Sequence, residues 1–204
     1  MHIVGRRSSL FTRVALVFAH ECRVPLEIVV VTDMTEVDAS AYGGNPALKL
    51  PTLVRDDGGR VFGALNIARV IAGDARVVWP EDVRSDRGRN AHEMVAHAMA
   101  AQIQIIMGTI VGKVPADNIV FAKARRGLEG ALAWLDENVD AVIDEMNDEL
   151  PARDASWFEH ALGCTVEHFA FRGTVAIEPY RSLARFATAW GACEAATATA
   201  YRFD

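Results

Sequence analysis

The chain has 204 residues, of which 51% are apolar and 24% charged, with a net charge of −6. This composition excludes a disordered chain and supports a sizeable core, since a domain of about 150 residues buries about 70% of its unfolded surface. The acidic balance excludes a general nucleic-acid binder, which needs a clustered basic face. His2-Ile3-Val4 reads as a minimal first strand. The following Arg6-Arg7 resembles an export signal only superficially, because Arg13, His20, Glu21 and Arg23 interrupt the apolar stretch such a signal requires. Leu10, Phe11, Val14, Val17 and Phe18 recur at helical spacing up to Cys22, and Leu26–Val31 is an apolar, largely β-branched run. Strand, helix and strand in that order predict a right-handed βαβ unit with a parallel pair. Thr52–Val54 and Arg60–Phe62 flank Asp57-Gly58, a strong hairpin signal. Leu65, Ala68, Ile71 and Ala72 place an apolar stripe on a closing helix that stops at Gly73. This order is that of a thioredoxin-like domain over residues 1–75.

Trp79-Pro80-Glu81-Asp82 marks a linker over residues 76–84, and residues 85–204 read as a helical domain. The charge agrees with this division, because residues 1–75 are balanced and the whole acidic excess lies beyond them. Met94–Gly112 carries no formal charge and approaches transmembrane length. His97, Gln102, Gln104 and Thr109 would then sit in lipid, so a buried helix of a soluble protein is expected, with no membrane partner. Its all-round apolar character also predicts a contact with the other domain or with a second subunit. Leu128, Leu132, Leu135, Val139, Val142 and Met146 form a heptad-like seam on one long helix. The acidic residues on its other face, from Asp136 to Glu149, read as a solvated surface. Pro151 ends that helix, Ser156-x-x-Glu159 is a capping box for the next, and Tyr180–Cys193 supplies another.

The three cysteines, Cys22, Cys164 and Cys193, are odd in number and have no CxxC spacing, which suits a reducing cytoplasm. His92 and His97, five residues apart, point about 140° from each other on a helix and cannot share a metal. His160, Cys164 and His168 share a helical face away from the core stripe, where packed or surface side chains outweigh a metal site, so no metal is expected. Met94, Met99 and Met107, with Phe121 and Trp134, read as core or as an apolar acceptor wall.

Two stretches have chemistry. Ser8 and Ser9 stand where the first strand meets the first helix, whose N-terminus presents unpaired N–H groups and partial positive charge. A serine hydroxyl there donates to a thiolate and lowers the thiol pKa; the same residues also fit a plain helix cap. In Asn45–Val54, a proline just before a strand marks Leu50–Pro51 as a candidate cis bond. A cis bond there turns the Leu50 N–H and C=O outward, where they can pair with a peptide-like ligand as an added strand does.

Ser9–Glu21 (SLFTRVALVFAHE) resembles the S-P-F-x-R-K-V-R-x-x-A-H-E opening of bacterial soluble glutathione transferases. Asn45–Val54 is similar to their N-P-x-G-K-V-P-T-L stretch, Asp57-Gly58-Gly59 to the turn that follows, and Ser156–Arg172 and Pro179–Ala189 to parts of their helical domain. The resemblance implies a thioredoxin-like domain followed by an all-helical one, a cytoplasmic homodimer, and glutathione as co-substrate. It implies conjugation of glutathione to a small apolar electrophile, a detoxification chemistry, with Ser9 as the activating hydroxyl. Ser8 and Phe11 would flank that group, Leu50 would anchor the cysteinyl backbone, Pro51 would be the cis proline, and Lys49 would meet the glycyl carboxylate.

The family pattern breaks at the third helix, where E-S-x-A-I is replaced by Gly63-Ala64-Leu65-Asn66-Ile67. Gly63 and Ala64 would still sit at the γ-glutamyl end, but only the Ala64 backbone N–H is left to face its carboxylate. Losing a charge-assisted hydrogen bond costs about 1.5–3 kcal/mol. Leu10 stands for the usual proline, and Leu48 for the usual glycine. The alternative implied by these departures is a non-catalytic protein of the same fold that binds another ligand or a protein partner.

Overall fold

The computed structural model describes residues 1–204. The apolar pair Ile3-Val4 lies in β1 (His2–Gly5), which runs parallel to β2 (Glu27–Val30) across α1 (Leu10–Glu21), so the expected βαβ unit is present. β3 (Thr52–Val54) pairs antiparallel with β1, and β4 (Arg60–Phe62) pairs antiparallel with β3, giving the order β2-β1-β3-β4. The Asp57-Gly58 turn closes this last hairpin with Gly58 at φ 82, the left-handed conformation that glycine supplies without strain. α2 (Ala64–Ala72) completes the thioredoxin-like arrangement. It packs on α1, and Leu10, Val14, Val17 and Phe18 of α1 are buried together with Ile67, Ala68 and Ile71 of α2.

Between β2 and β3 the chain makes only a 3-10 turn, Ala39–Tyr42. Tyr42 pins it: its ring is 2% exposed, its hydroxyl donates to the Glu36 carbonyl at 2.9 Å, and its own carbonyl accepts from Thr52 Oγ1 at 2.8 Å. A turn this short has no apolar period, so the sequence predicts only a long connection there.

The chain divides into two compact units, residues 1–76 with 192–204, and residues 77–191. In the second unit, β5 (Val77–Val78) pairs in parallel with β6 (Ala155–Ser156). α3 (Asp86–Ile106) continues into a π turn at Met107–Val111. α4 (Ile119–Glu149), α5 (Trp157–Arg172) and α6 (Arg181–Gly191) follow. The six seam residues of α4 from Leu128 to Met146 are each at most 2% exposed, and α4 packs on α3 as that periodicity requires. By length and composition alone Asp86–Val111 could cross a membrane. Instead, its Ala91, Val95, Ala98 and Met99 are buried in the helical unit, where it packs on α4 and α5. Ser156 caps α5 by accepting the Glu159 N–H at 3.4 Å, which is half of the expected capping box; the Glu159 carboxylate pairs with Arg153 Nη2 instead of returning to the Ser156 N–H. Asp136 of α4 caps α6, its Oδ1 accepting the Ser182 N–H at 2.7 Å and the Leu183 N–H at 3.0 Å.

Residues 76–84, expected as a linker, lie from Val77 onward within the second unit, where Val77, Val78 and Val83 are buried and Val77–Val78 pair with β6. Two further sequence expectations differ from the structure. The face of α5 carrying His160, Cys164 and His168 is not turned from the core: the three are 8%, 0% and 1% exposed. α5 packs against α3, α6 and the β5–β6 pair, so more than one of its faces is covered. His160 Nδ1 accepts from Trp190 Nε1 at 3.3 Å, and Gln102 bridges His168 at 3.2 Å and Thr174 at 2.8 Å. Burial holds the His160 pKa down at about 4. Second, residues 192–204, expected within the helical domain, cluster with the first unit. The reason is Arg13, whose side chain is fully buried in α1. Its Nη2 donates to the Ala196 carbonyl of α7 (Glu194–Ala198) at 3.0 Å, its Nε donates to Thr199 Oγ1 at 3.5 Å, and its guanidinium lies 4.2 Å from the Tyr201 ring centroid. Arg7 adds an ion pair to Asp204 at 3.1 Å. A buried guanidinium needs such partners, and the returning segment supplies them.

Candidate functional site

The strand register places three loop-to-element junctions along one end of the sheet. Val4 faces Thr52, and Thr52 faces Phe62. The residues just beyond β1, just before β3 and just beyond β4 are therefore neighbours, at the strand spacing of about 5 Å. These are the segments holding Ser9, Leu50 and Gly63-Ala64.

At the first junction, β1 ends at Gly5 against the first turn of α1. A β-carbon at Gly5 would come within 2.6 Å of Thr12 Cγ2, so the approach needs glycine. Ser9, a half-buried residue in extended backbone, is the N-cap of α1, and its Oγ accepts the Thr12 N–H at 3.3 Å. The first turn holds no acidic side chain, so nothing within it neutralises the helix terminus. Having accepted one hydrogen bond, the hydroxyl keeps its own proton for an anion placed above the terminus. Ser8 is 2% exposed and engaged within the protein, and Phe11 is half-buried in the first turn.

At the second junction the Leu50–Pro51 peptide is cis, as expected, and Pro51 is buried. Asn45 organises the approach from a buried position, donating from Nδ2 to the Lys49 carbonyl at 2.9 Å and accepting the Ala47 N–H at 3.0 Å. No hydrogen bond within the protein uses the Leu50 N–H or C=O. Lys49, the preceding residue, is exposed. Leu48 has φ 54, a left-handed conformation that leucine rarely adopts.

At the third junction Gly63 has φ 83 and caps α2 without a side-chain bond. A β-carbon there would meet nothing within 4 Å. Its N–H donates to the Pro51 carbonyl at 3.3 Å, joining the second junction to the third. The Ala64 and Leu65 N–H groups have no partner within the protein. The arrangement therefore presents a hydroxyl at one helix start, a free main-chain pair, and open N–H groups at a second helix start. Together these suit a short peptide whose main chain pairs with Leu50, with an anionic group at each of the two helix starts.

Two positioning residues have no assigned role in the sequence reading. Asn45 is legible in part, since Asn-Pro before a strand favours an Asx turn. Arg13 is not, because its partners lie more than 180 residues away.

The family model for the glutathione S-transferase N-terminal domain matches residues 8–73. No curated protein matches the chain. Among solved structures, the chain is similar to a glutathione S-transferase from Methylobacillus flagellatus with glutathione bound, at 19% identity and TM-score 0.75, covering 98% of this chain and 99% of that one. A glutathione S-transferase from Methylobacterium radiotolerans in complex with glutathione sulfonate is 17% identical with TM-score 0.76, covering 100% and 97%. Gtt2 from Saccharomyces cerevisiae is 12% identical with TM-score 0.72, covering 98% and 100%. At these identities the likeness establishes the fold.

Proposed function

We propose, from a first domain that matches the glutathione S-transferase N-terminal model in a chain with the glutathione-transferase fold, that the protein joins glutathione to a small apolar electrophile. The observation that carries this reading is the Ser9 hydroxyl, on a half-buried residue at an uncompensated helix start, with its proton free to donate. The γ-glutamyl carboxylate takes the open N–H groups of Ala64 and Leu65. The cysteinyl main chain pairs with Leu50, and Lys49 meets the glycyl carboxylate. The thiol proton leaves to water, and Ser9 donates to the resulting thiolate, which lowers the thiol pKa. The sulfur lone pair then forms a bond to the electrophilic carbon. A leaving group departs with its electron pair, or an unsaturated acceptor takes a proton from water. Holding both reactants in place supplies much of the acceleration. The protein acts as a cytoplasmic homodimer that clears reactive electrophiles; exposed Phe62 and Val70 on β4 and α2 offer apolar surface for the second subunit.

A second reading, a non-catalytic binder, is favoured by Gly63-Ala64, which offers no side-chain partner to the γ-glutamyl group. Calorimetric titration with glutathione, together with a conjugation assay on a dinitrophenyl halide, separates the two. Binding in the millimolar range or tighter, with turnover, supports the transferase; no binding and no turnover sinks the transferase and supports the binder of another ligand or partner. Ala64→Ser is the informative restoration, and it should tighten binding. Gly63→Glu is a poorer one, because at φ 83 any side chain strains the backbone.

A further inference from the structure

We infer that Asp204 is a positioning residue for the Ser9 hydroxyl, acting through Arg7, a role that rests on the thiol-activating reading of Ser9.

Ser9 reaches its place through a tight turn. Its N–H donates to the Arg6 carbonyl at 3.1 Å, which makes Arg7 and Ser8 the central pair between the end of β1 and the start of α1. Both are held. Ser8 is buried, and one carboxylate grips Arg7 at two points: Asp204 Oδ2 accepts its main-chain N–H at 2.9 Å, and Oδ1 accepts from its Nη1 at 3.1 Å. The Asp204 side chain is only 7% exposed, so this pair differs from solvated ion pairs, which contribute little.

The same returning segment binds Arg13, one turn into α1 beyond Ser9, through Ala196, Thr199 and the Tyr201 ring. It therefore holds the chain on both sides of Ser9. Only the Arg7 contact restrains the turn itself, because it includes the main chain. A hydroxyl must lie about 3 Å from a thiolate to donate to it, and a displacement of about 1 Å is enough to forfeit much of its effect on rate.

Field and position predict different signs. If the pair acted by its charges alone, removing the carboxylate would lower the thiol pKa and removing the guanidinium would raise it. A positioning role moves both in one direction, since either change frees the same turn. The two residues then act as a unit, and losing both does no more than losing one.

The test uses the full chain with glutathione and a dinitrophenyl halide, in Asp204→Ala, Arg7→Ala and the double variant, with urea unfolding to establish that each is folded. The titration of the bound thiolate by ultraviolet absorbance and the pH–rate curve should both shift upward by about half a pH unit or more in every variant. Below the midpoint, kcat should then fall at least about threefold. KM for glutathione should stay within about twofold, since Lys49, Leu50 and Ala64 lie on other segments. Asp204→Asn, whose carboxamide oxygen still accepts the Arg7 N–H, should show a smaller shift in the same direction. This milder variant decides the question if an alanine variant fails to fold. A wild type with no bound thiolate and no turnover would remove the thiol reading of Ser9 and this role with it. A wild type with both would overturn the positioning role alone if the variants' midpoints stayed in place, moved in opposite directions, or added in the double variant.

Discussion

Ser9 Oγ accepts the Thr12 N–H at 3.3 Å, so the atom proposed to activate a thiol is also the cap of its own helix. Substitution therefore has two consequences that must be separated. Ser9→Ala removes both roles and should cost about 1 kcal/mol of stability, whereas Ser9→Gly should cost only a few tenths. Both should lower conjugation turnover alike, by about tenfold to a hundredfold, since both lose a bond to a developing charge. Their pH–rate curves should shift upward as the bound thiol regains a higher pKa. Urea unfolding and steady-state kinetics on the pair check this, and a glycine variant with full turnover would show that Ser9 is only a cap.

Leu48, at φ 54, occupies a conformation for which glycine is the natural choice. Leu48→Gly and Leu48→Ala both discard the half-buried side chain and differ in tolerance of that backbone. The glycine variant should be more stable than the alanine variant by about 1 kcal/mol. Thermal or urea unfolding of the two proteins measures the difference, and an alanine variant of equal or greater stability would show that the loop carries no strain at this position.

Arg13→Ala should destabilise the fold by about 3 kcal/mol or more, because it leaves a cavity and orphans the Ala196 carbonyl. Arg13→Lys should recover only part of this, since an ammonium cannot reproduce the planar fork or lie as well over Tyr201. Hydrogen exchange should show residues 194–201 losing protection first in either variant.

Burial holds His160 at about 4 in the folded protein, with the Arg153 charge pushing the same way, against about 6.5 when unfolded. Below pH about 6.5 the unfolded chain takes up a proton that the folded chain refuses. Stability from this group is therefore complete above pH about 6.5 and falls, by about 3 kcal/mol in all, as the pH drops to about 4. His92, also lowered chiefly by burial, contributes in the same direction. His160→Gln keeps an acceptor for Trp190 Nε1 but does not titrate. Its unfolding free energy should fall less steeply between pH 6.5 and 4, and an unchanged slope would remove His160 from the acid response.

The first domain was legible in sequence because its signals are local: an apolar run for β2, a 3.6-residue stripe on α1 and α2, and Asp57-Gly58 for the hairpin. The Ser156 cap and the α4 seam are local in the same sense. What escaped detection depends on distant partners or on very short elements. β5 and β6 are two residues each and exist by pairing with one another. The burial of His160 and His168 follows from neighbours on three sides of α5, whereas a helical stripe read from sequence identifies only one. At the candidate site, Ser9 and Leu50 were readable from resemblance. The left-handed backbone at Gly63 was not, because glycine there looks like a simple loss of glutamate.

The return of residues 192–204 to the first unit sets the order of synthesis against the order of folding. A ribosome that has completed β4 and α2 has made every strand of the first sheet, yet Arg13 then has no Ala196 carbonyl and no Tyr201 ring. Until the helical unit has emerged, that guanidinium lacks the partners it has in the finished fold. The sheet unit is thus completed only after the helical unit has been made, and a nascent chain stalled in α6 would expose the α1 surface that residues 194–201 cover.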